Sequence, residues 1–144
     1  LAPLCDQLTV AERPVLLKFA NLQHLATTVH GTLSAPDASG AGDSVLALLN
    51  ALHPSAAVCG TPTEAAMELI RELEGMDRGR YAGPVGWVDS AGNGEWGIAL
   101  RCAEIDGPRA RLFAGGGIVA DSDPAAELAE TVTKFRTMRF ALEA

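Results

Sequence analysis

Three stretches carry residue types suited to gripping an anion. FAGGGIV places Gly115, Gly116 and Gly117 at the end of an expected strand. Missing side chains there let a ligand approach backbone N–H groups closely, although a bulge or tight bend in a sheet asks for the same residues. The glycines do not make a P-loop, because the lysine and hydroxyl that should follow them are absent. ALRCAEI puts Arg101 in the middle of an apolar strand, where a guanidinium is costly unless it meets a carboxylate or lies on a solvated face. Tyr81, the only tyrosine, opens YAGPVGW and supplies either a phenolic hydrogen bond or core volume. A fourth stretch, AELAETVTKF, sets Glu127, Glu130 and Lys134 at i, i+3 and i+7, so all three share one stripe of a helix. Its simplest reading is a solvated ridge, in which Glu130 and Lys134 stand four apart in the favourable order.

The elements that must position these residues are well punctuated. Asp123 is a candidate N-cap and Pro124 suits the first helical position, so a final helix is expected from about 123 to 140. Leu128, Val132, Phe135 and Arg139 lie on another stripe, through which this helix would pack. GTPTEAAMELIRELEG reads as the clearest helix: Thr61 caps, Glu64 follows three residues later, Ala66, Leu69, Ile70 and Leu73 line one face, and Gly75 stops it. SVLALLNAL is a short helix ended by His53 and Pro54, and SAPDASGAGD, residues 34–43, is linker-like. PVLLKFANLQHLATTVHGTL lacks a helical stripe and reads as extended chain or strands. YAGPVGWVD, GEWGIALRCAEID and RARLFAGGGIVA, joined by short turns, favour an antiparallel meander. Strands and helices come in blocks, which gives an α+β fold with an antiparallel sheet and packed helices and argues against a doubly wound nucleotide fold.

Composition narrows the function classes. The chain has 144 residues, 48% of them apolar, enough for one domain or part of one. A formal charge of −7 argues against nucleic acid or an anionic membrane as a partner, while a small anion can still bind where a few cations converge. Cys5, Cys59 and Cys102 are odd in number and lack metal spacing, as in a cytoplasmic protein with reduced thiols. No apolar run approaches the roughly 20 residues that span a bilayer. The first residue is Leu1 rather than methionine, as expected of a processed chain or an excerpt.

Taken in order, LHPSAAVCGTPTEAA, DRGRYAGPVGWVDSAGNGEW, IALRCAEI, RLFAGGGIVADSDPAAELAETVTKF and QHLATTVHG resemble the chorismate-utilising enzymes over nearly the whole chain. The resemblance implies the C-terminal part of the chorismate-binding domain, with the N-terminal half of the same enzyme absent. It implies that Glu127 and Glu130 stand on the magnesium side of the site and that Lys134 holds a substrate carboxylate. Arg101 would grip the enolpyruvyl carboxylate, assisted by Tyr81. Gly115 would turn its N–H to the substrate, with His24 near the ring and Val58 in the substrate-binding loop. Mg²⁺ takes hard oxygen ligands and keeps several waters, so glutamates one turn apart suit it. Within the family, LHP and GNGEW look most like the isochorismate synthases. Ala57 and Val58 replace the hydroxyl-bearing pair of the ammonia-using members, and Gly116 stands where alanine is usual. The implied reaction is the magnesium-dependent isomerisation of chorismate to isochorismate, in siderophore or menaquinone biosynthesis. Its base and acid are expected upstream of Leu1, so no catalytic residue of that set lies in this chain and the isolated segment would be inactive. A salicylate, anthranilate or aminodeoxychorismate synthase and a non-catalytic fragment or paralogue are the alternatives.

Overall fold

A computed structural model describes residues 1–18, 23–34 and 45–143. Alternating side chains in CDQLTV extend the chain into β1 (Cys5–Val10), preceded by a 3-10 turn at Ala2–Leu4. The leucine-, valine- and threonine-rich stretch that follows forms β2 (Val15–Lys18), β3 (Gln23–Ala26) and β4 (Val29–Leu33). β2 pairs antiparallel with β3 from Lys18 opposite Gln23 to Val15 opposite Ala26. β1 pairs antiparallel with β4 from Val10 opposite Val29 to Cys5 opposite Leu33, as a separate two-stranded sheet. The strands expected in this stretch are present, whereas β1 was not anticipated. The linker-like segment 34–43 lies outside the described residues apart from Ser34, whose hydroxyl donates to Asp6 Oδ1 at 2.6 Å. SVLALLNAL forms α1 (Val45–Leu52) as expected.

The chain groups into two units, Leu1–Leu52 with Val88–Glu95 and His53–Trp87 with Trp96–Ala144. In the second unit, α2 (Ala56–Cys59) is a single turn that the sequence did not announce, and α3 (Thr63–Leu73) is the expected long helix. The N-cap of α3 is Pro62, not Thr61, and no side-chain cap bond forms. The Thr61–Glu64 capping box is therefore absent: with the cap moved to Pro62, Glu64 occupies the second helical position rather than the third. Gly75, with φ +61°, ends the segment as anticipated.

The expected meander is instead two separate antiparallel hairpins: β5 (Pro84–Val88) with β6 (Gly94–Ile98), and β7 (Cys102–Asp106) with β8 (Arg109–Phe113). Ala99 still pairs with Ala82 and Gly83 at the end of the β5–β6 ladder, and the run breaks just after it, where Leu100 turns its N–H back to Ile98 O at 2.7 Å and Arg101 takes φ 49°. Gly107, with φ +54°, makes the second hairpin turn. α4 (Pro124–Glu143) closes the chain, started by Asp123, whose Oδ1 accepts from Ala126 N–H at 2.8 Å. Among the described residues the buried apolar core is Ala82 and Phe113. Tyr81 stacks on Phe113 with ring centroids 5.2 Å apart.

The packing face of α4 differs from the expectation. Leu128 and Val132 of the anticipated stripe are 65% and 55% exposed. The half-buried positions are Glu127, Thr131, Lys134, Phe135 and Met138, so Glu127 and Lys134 of the ionic stripe are partly covered while Glu130 stays exposed, and of the apolar stripe only Phe135 is partly covered.

Candidate functional site

Glu127 and Lys134 meet the glycine segment that follows β8. Lys134 Nζ donates to Gly115 O at 2.9 Å and pairs with Glu130 Oε1. An ammonium has three donors; among the described residues only these two acceptors take one, leaving a third directed by neither. Glu127 Oε1 accepts from Ser122 Oγ at 2.6 Å. Its other oxygen lies beside the glycines: a methyl group at Gly116 would come within 3.0 Å of Glu127 Oε2 and 3.7 Å of Lys134 Nζ. A methyl group at Gly115 would come within 3.0 Å of Tyr81 Oη. Glycine at both positions is thus what lets a tyrosine hydroxyl, a carboxylate and an ammonium close on one backbone segment.

The electrostatics follow from these neighbours. Lys134 hydrogen-bonds and attracts the Glu130 carboxylate, and together with the charge of Arg101 it holds Glu130 below the usual carboxylate range. Glu130 therefore stays ionised through neutral pH. Burial pushes the Tyr81 phenol up, with the Arg78 charge opposing it. Tyr81 is then a neutral hydroxyl at pH 7, able to donate to an oxyanion.

Arg101 is not in the middle of a strand, nor does Tyr81 open one. Arg101 sits at the break before β7 with φ 49°, and Tyr81 in the turn before β5. A left-handed arginine costs on the order of 1–2 kcal/mol; the tight turn just before it, with Leu100 N–H on Ile98 O at 2.7 Å, accompanies it.

Val58 approaches Tyr81 from another direction. Its carbonyl accepts from Arg78 Nη1 at 2.9 Å, and the Arg78 guanidinium lies 5.7 Å from the Tyr81 ring centroid. Arg78 is fixed in turn by two hydrogen bonds to Glu74. Val58 and Tyr81 line a cavity of about 630 Å³ together with His53, Met67 and Ile70, and none of Arg101, Gly115, Glu127, Glu130 and Lys134 lines it. The structure thus gathers Tyr81, Gly115, Glu127, Glu130 and Lys134, brings Arg101 within electrostatic reach of Glu130, and sets Val58 behind Tyr81. His24 belongs to the first unit, on β3 opposite Leu17.

Two residues at the site were not read from the sequence. Ser122 carried no signal beyond its place before a capping aspartate. Arg78 lies in DRGR beside the tyrosine, and only its nearness in sequence hinted at a role.

Glu127 and Glu130 fit a Mg²⁺ site in donor type, since both are hard oxygen donors and one oxygen of Glu127 is left without a hydrogen bond among the described residues. They are a pair and not a cage: among the described residues no group of three His, Cys, Asp or Glu converges to hold a metal. No helix among the described residues is long and apolar enough to cross a membrane.

Comparison with known proteins gives the family. Residues 1–143 match the chorismate binding enzyme family. The chain is 48% identical over 142 residues to isochorismate synthase DhbC of Bacillus subtilis, covering 99% of this chain and 34% of that protein. It is 47% identical over 144 residues to a salicylate biosynthesis isochorismate synthase of Pseudomonas aeruginosa, covering all of this chain and 29% of that one. A crystal structure described as a 2,3-dihydroxybenzoate-specific isochorismate synthase, DhbC, from Bacillus anthracis superposes with a TM-score of 0.90 at 46% identity, over 99% of this chain and 36% of that one. The chain thus spans about a third of the length of the relatives it matches. With an α+β arrangement of antiparallel hairpins and helices in common and the match running over residues 1–143, the chain belongs to the chorismate binding enzyme family.

Proposed function

We propose that the chain supplies the carboxylate-gripping and metal-side part of an isochorismate synthase, which converts chorismate to isochorismate. Water adds at one ring carbon as the allylic hydroxyl leaves from another, so the reaction is an isomerisation with no net gain of atoms. The observation that carries this reading is Lys134, pinned between Gly115 O and Glu130. A cation held from two sides is preorganised and loses little freedom when its third donor meets a substrate carboxylate.

The other residues take complementary parts. Tyr81, neutral and braced on Phe113, donates a hydrogen bond to an anionic oxygen. Arg101 offers a planar pair of donors to a second carboxylate, and its charge is already felt at Glu130. Glu127 and Glu130 would hold Mg²⁺ with water and substrate completing the shell. When bound, the ion neutralises negative charge on the substrate ring. Proton transfer is another matter: Lys134 as a base would have to leave the pairing that positions it, and no other lysine lies in the second unit. On this reading the base and acid belong to a segment other than this chain. The isochorismate synthase names of the relatives support the choice of product.

The test is a chimera in which this chain replaces the matching third of the Bacillus subtilis relative. Product is identified by proton NMR from chorismate and Mg²⁺, with and without ammonium. Isochorismate under both conditions is expected. An aminated product or salicylate would overturn the assignment, and an active Lys134→Met chimera would remove the role given to the lysine.

A further inference from the structure

We propose that Ser122 is a positioning residue that aims the Glu127 carboxylate at the glycine segment; the inference rests on the metal-side reading of Glu127 given above. Ser122 has one hydroxyl hydrogen and two acceptor lone pairs. An ionised carboxylate accepts only, so the 2.6 Å contact to Glu127 Oε1 must use the serine hydrogen. The hydroxyl also accepts from Val119 N–H at 3.1 Å, and Ser122 N–H donates back to Val119 O at 3.0 Å. The serine is thus tied to one backbone residue through both main chain and side chain, and a single rotamer delivers its hydrogen to Glu127.

The consequence lies at the other oxygen. With Oε1 fixed, Oε2 is held where a methyl group on Gly116 would approach within 3.0 Å, so Gly116 leaves room for the orientation that Ser122 imposes. A glutamate has three side-chain torsions, and freezing them before a ligand arrives removes an entropic cost from binding. The turn Val119–Ser122 immediately precedes the Asp123 cap, so one short segment both starts α4 and aims its first inward carboxylate.

The experiment titrates Mn²⁺, a paramagnetic stand-in for Mg²⁺, into the chimera with the Bacillus subtilis relative in the presence of chorismate by electron paramagnetic resonance, with melting curves in EDTA and amide exchange at Val119. Ser122→Ala is expected to weaken Mn²⁺ binding about fivefold and to speed exchange of the Val119 amide. Ser122→Thr, which keeps the hydroxyl, should restore affinity to within about twofold of wild type. If Ser122→Ala binds Mn²⁺ like wild type while Glu127→Gln does not, the positioning role is overturned and the metal reading survives. If Glu127→Gln also binds like wild type, or wild type binds no Mn²⁺, the metal reading fails and the inference goes with it. Failure of Ser122→Thr to restore affinity, with its melting curve unchanged, would likewise overturn the role of the hydroxyl.

Discussion

The three consecutive glycines should respond to alanine in a graded way, because what each added methyl group meets is different. At Gly115 it meets Tyr81 Oη at 3.0 Å. The tyrosine cannot yield easily, since its ring stacks 5.2 Å from Phe113, which is 5% exposed, and lies 5.7 Å from the Arg78 guanidinium. Overpacking of that kind costs on the order of 1–3 kcal/mol. With an unfolding entropy of about 2.1 cal/mol/K per residue, a chain of 144 residues loses roughly 3 °C of Tm per kcal/mol, so Gly115→Ala should melt about 3–10 °C lower. At Gly116 the methyl meets Glu127 Oε2, the end of a flexible side chain, at 3.0 Å. Gly116→Ala should therefore cost less than about 1 kcal/mol in stability while shifting the carboxylate. At Gly117 it meets nothing within 4 Å. None of the three has a positive φ, so Gly117→Ala should raise stability by roughly 0.4–1 kcal/mol through the unfolded chain. Differential scanning fluorimetry of the three variants is the assay. Equal melting temperatures for the 115 and 117 variants would refute the placement of Tyr81 against Gly115.

Other expectations follow from the same contacts. Glu130→Gln should raise the Mg²⁺ needed for half-maximal activity of the chimera severalfold and leave Tm in EDTA nearly unchanged, because the side chain is 58% exposed; equal activity at limiting Mg²⁺ would return Glu130 to a solvated ridge. Arg101→Lys keeps the charge and the left-handed backbone but loses the planar fork, so kcat/KM should fall about tenfold to a thousandfold, roughly 1.4–4 kcal/mol, and a change under about twofold would mean that the arginine points elsewhere. Glu74 is held below the usual carboxylate range by its hydrogen bond to Arg78. A depressed folded pKa stabilises above the unfolded value, near 4.5, and that contribution disappears as pH falls through the folded one. Glu74→Gln should accordingly cost up to about 1 kcal/mol at pH 7 and nothing once the carboxyl is protonated in both states; urea melts at pH 7 and pH 3 give the comparison, and an equal cost at both would contradict the linkage.

Much of the architecture was legible because it depends on local chemistry. Asp123 and Pro124 start α4, Gly75 ends the α3 segment, and the Val- and Leu-rich stretch forms strands, since caps and extended propensity act over a few residues. The orientation of α4 was not legible. Both of its stripes are plausible packing faces by spacing alone. The choice between them is made by Gly115 O, nineteen residues before Lys134, and by Ser122, which occupies one oxygen of Glu127. The break at Arg101 was hidden because GEWGIALRCAEID reads as one strand until Leu100 is seen turning back on Ile98 and Arg101 taking a left-handed φ. The set of site residues came from the resemblance. Its contacts, including the glycine clearances and the serine behind Glu127, came from the structure.

The central claim, that this chain grips the substrate and its metal side but holds no complete acid and base, is tested most directly by chorismate turnover with Mg²⁺ in two steps. The purified chain is assayed alone, then mixed with the remaining two thirds or so of the Bacillus subtilis relative expressed separately. No isochorismate from the chain alone and isochorismate on mixing, abolished by Lys134→Met, is the expected result. Isochorismate formed by the chain alone would contradict the division of labour.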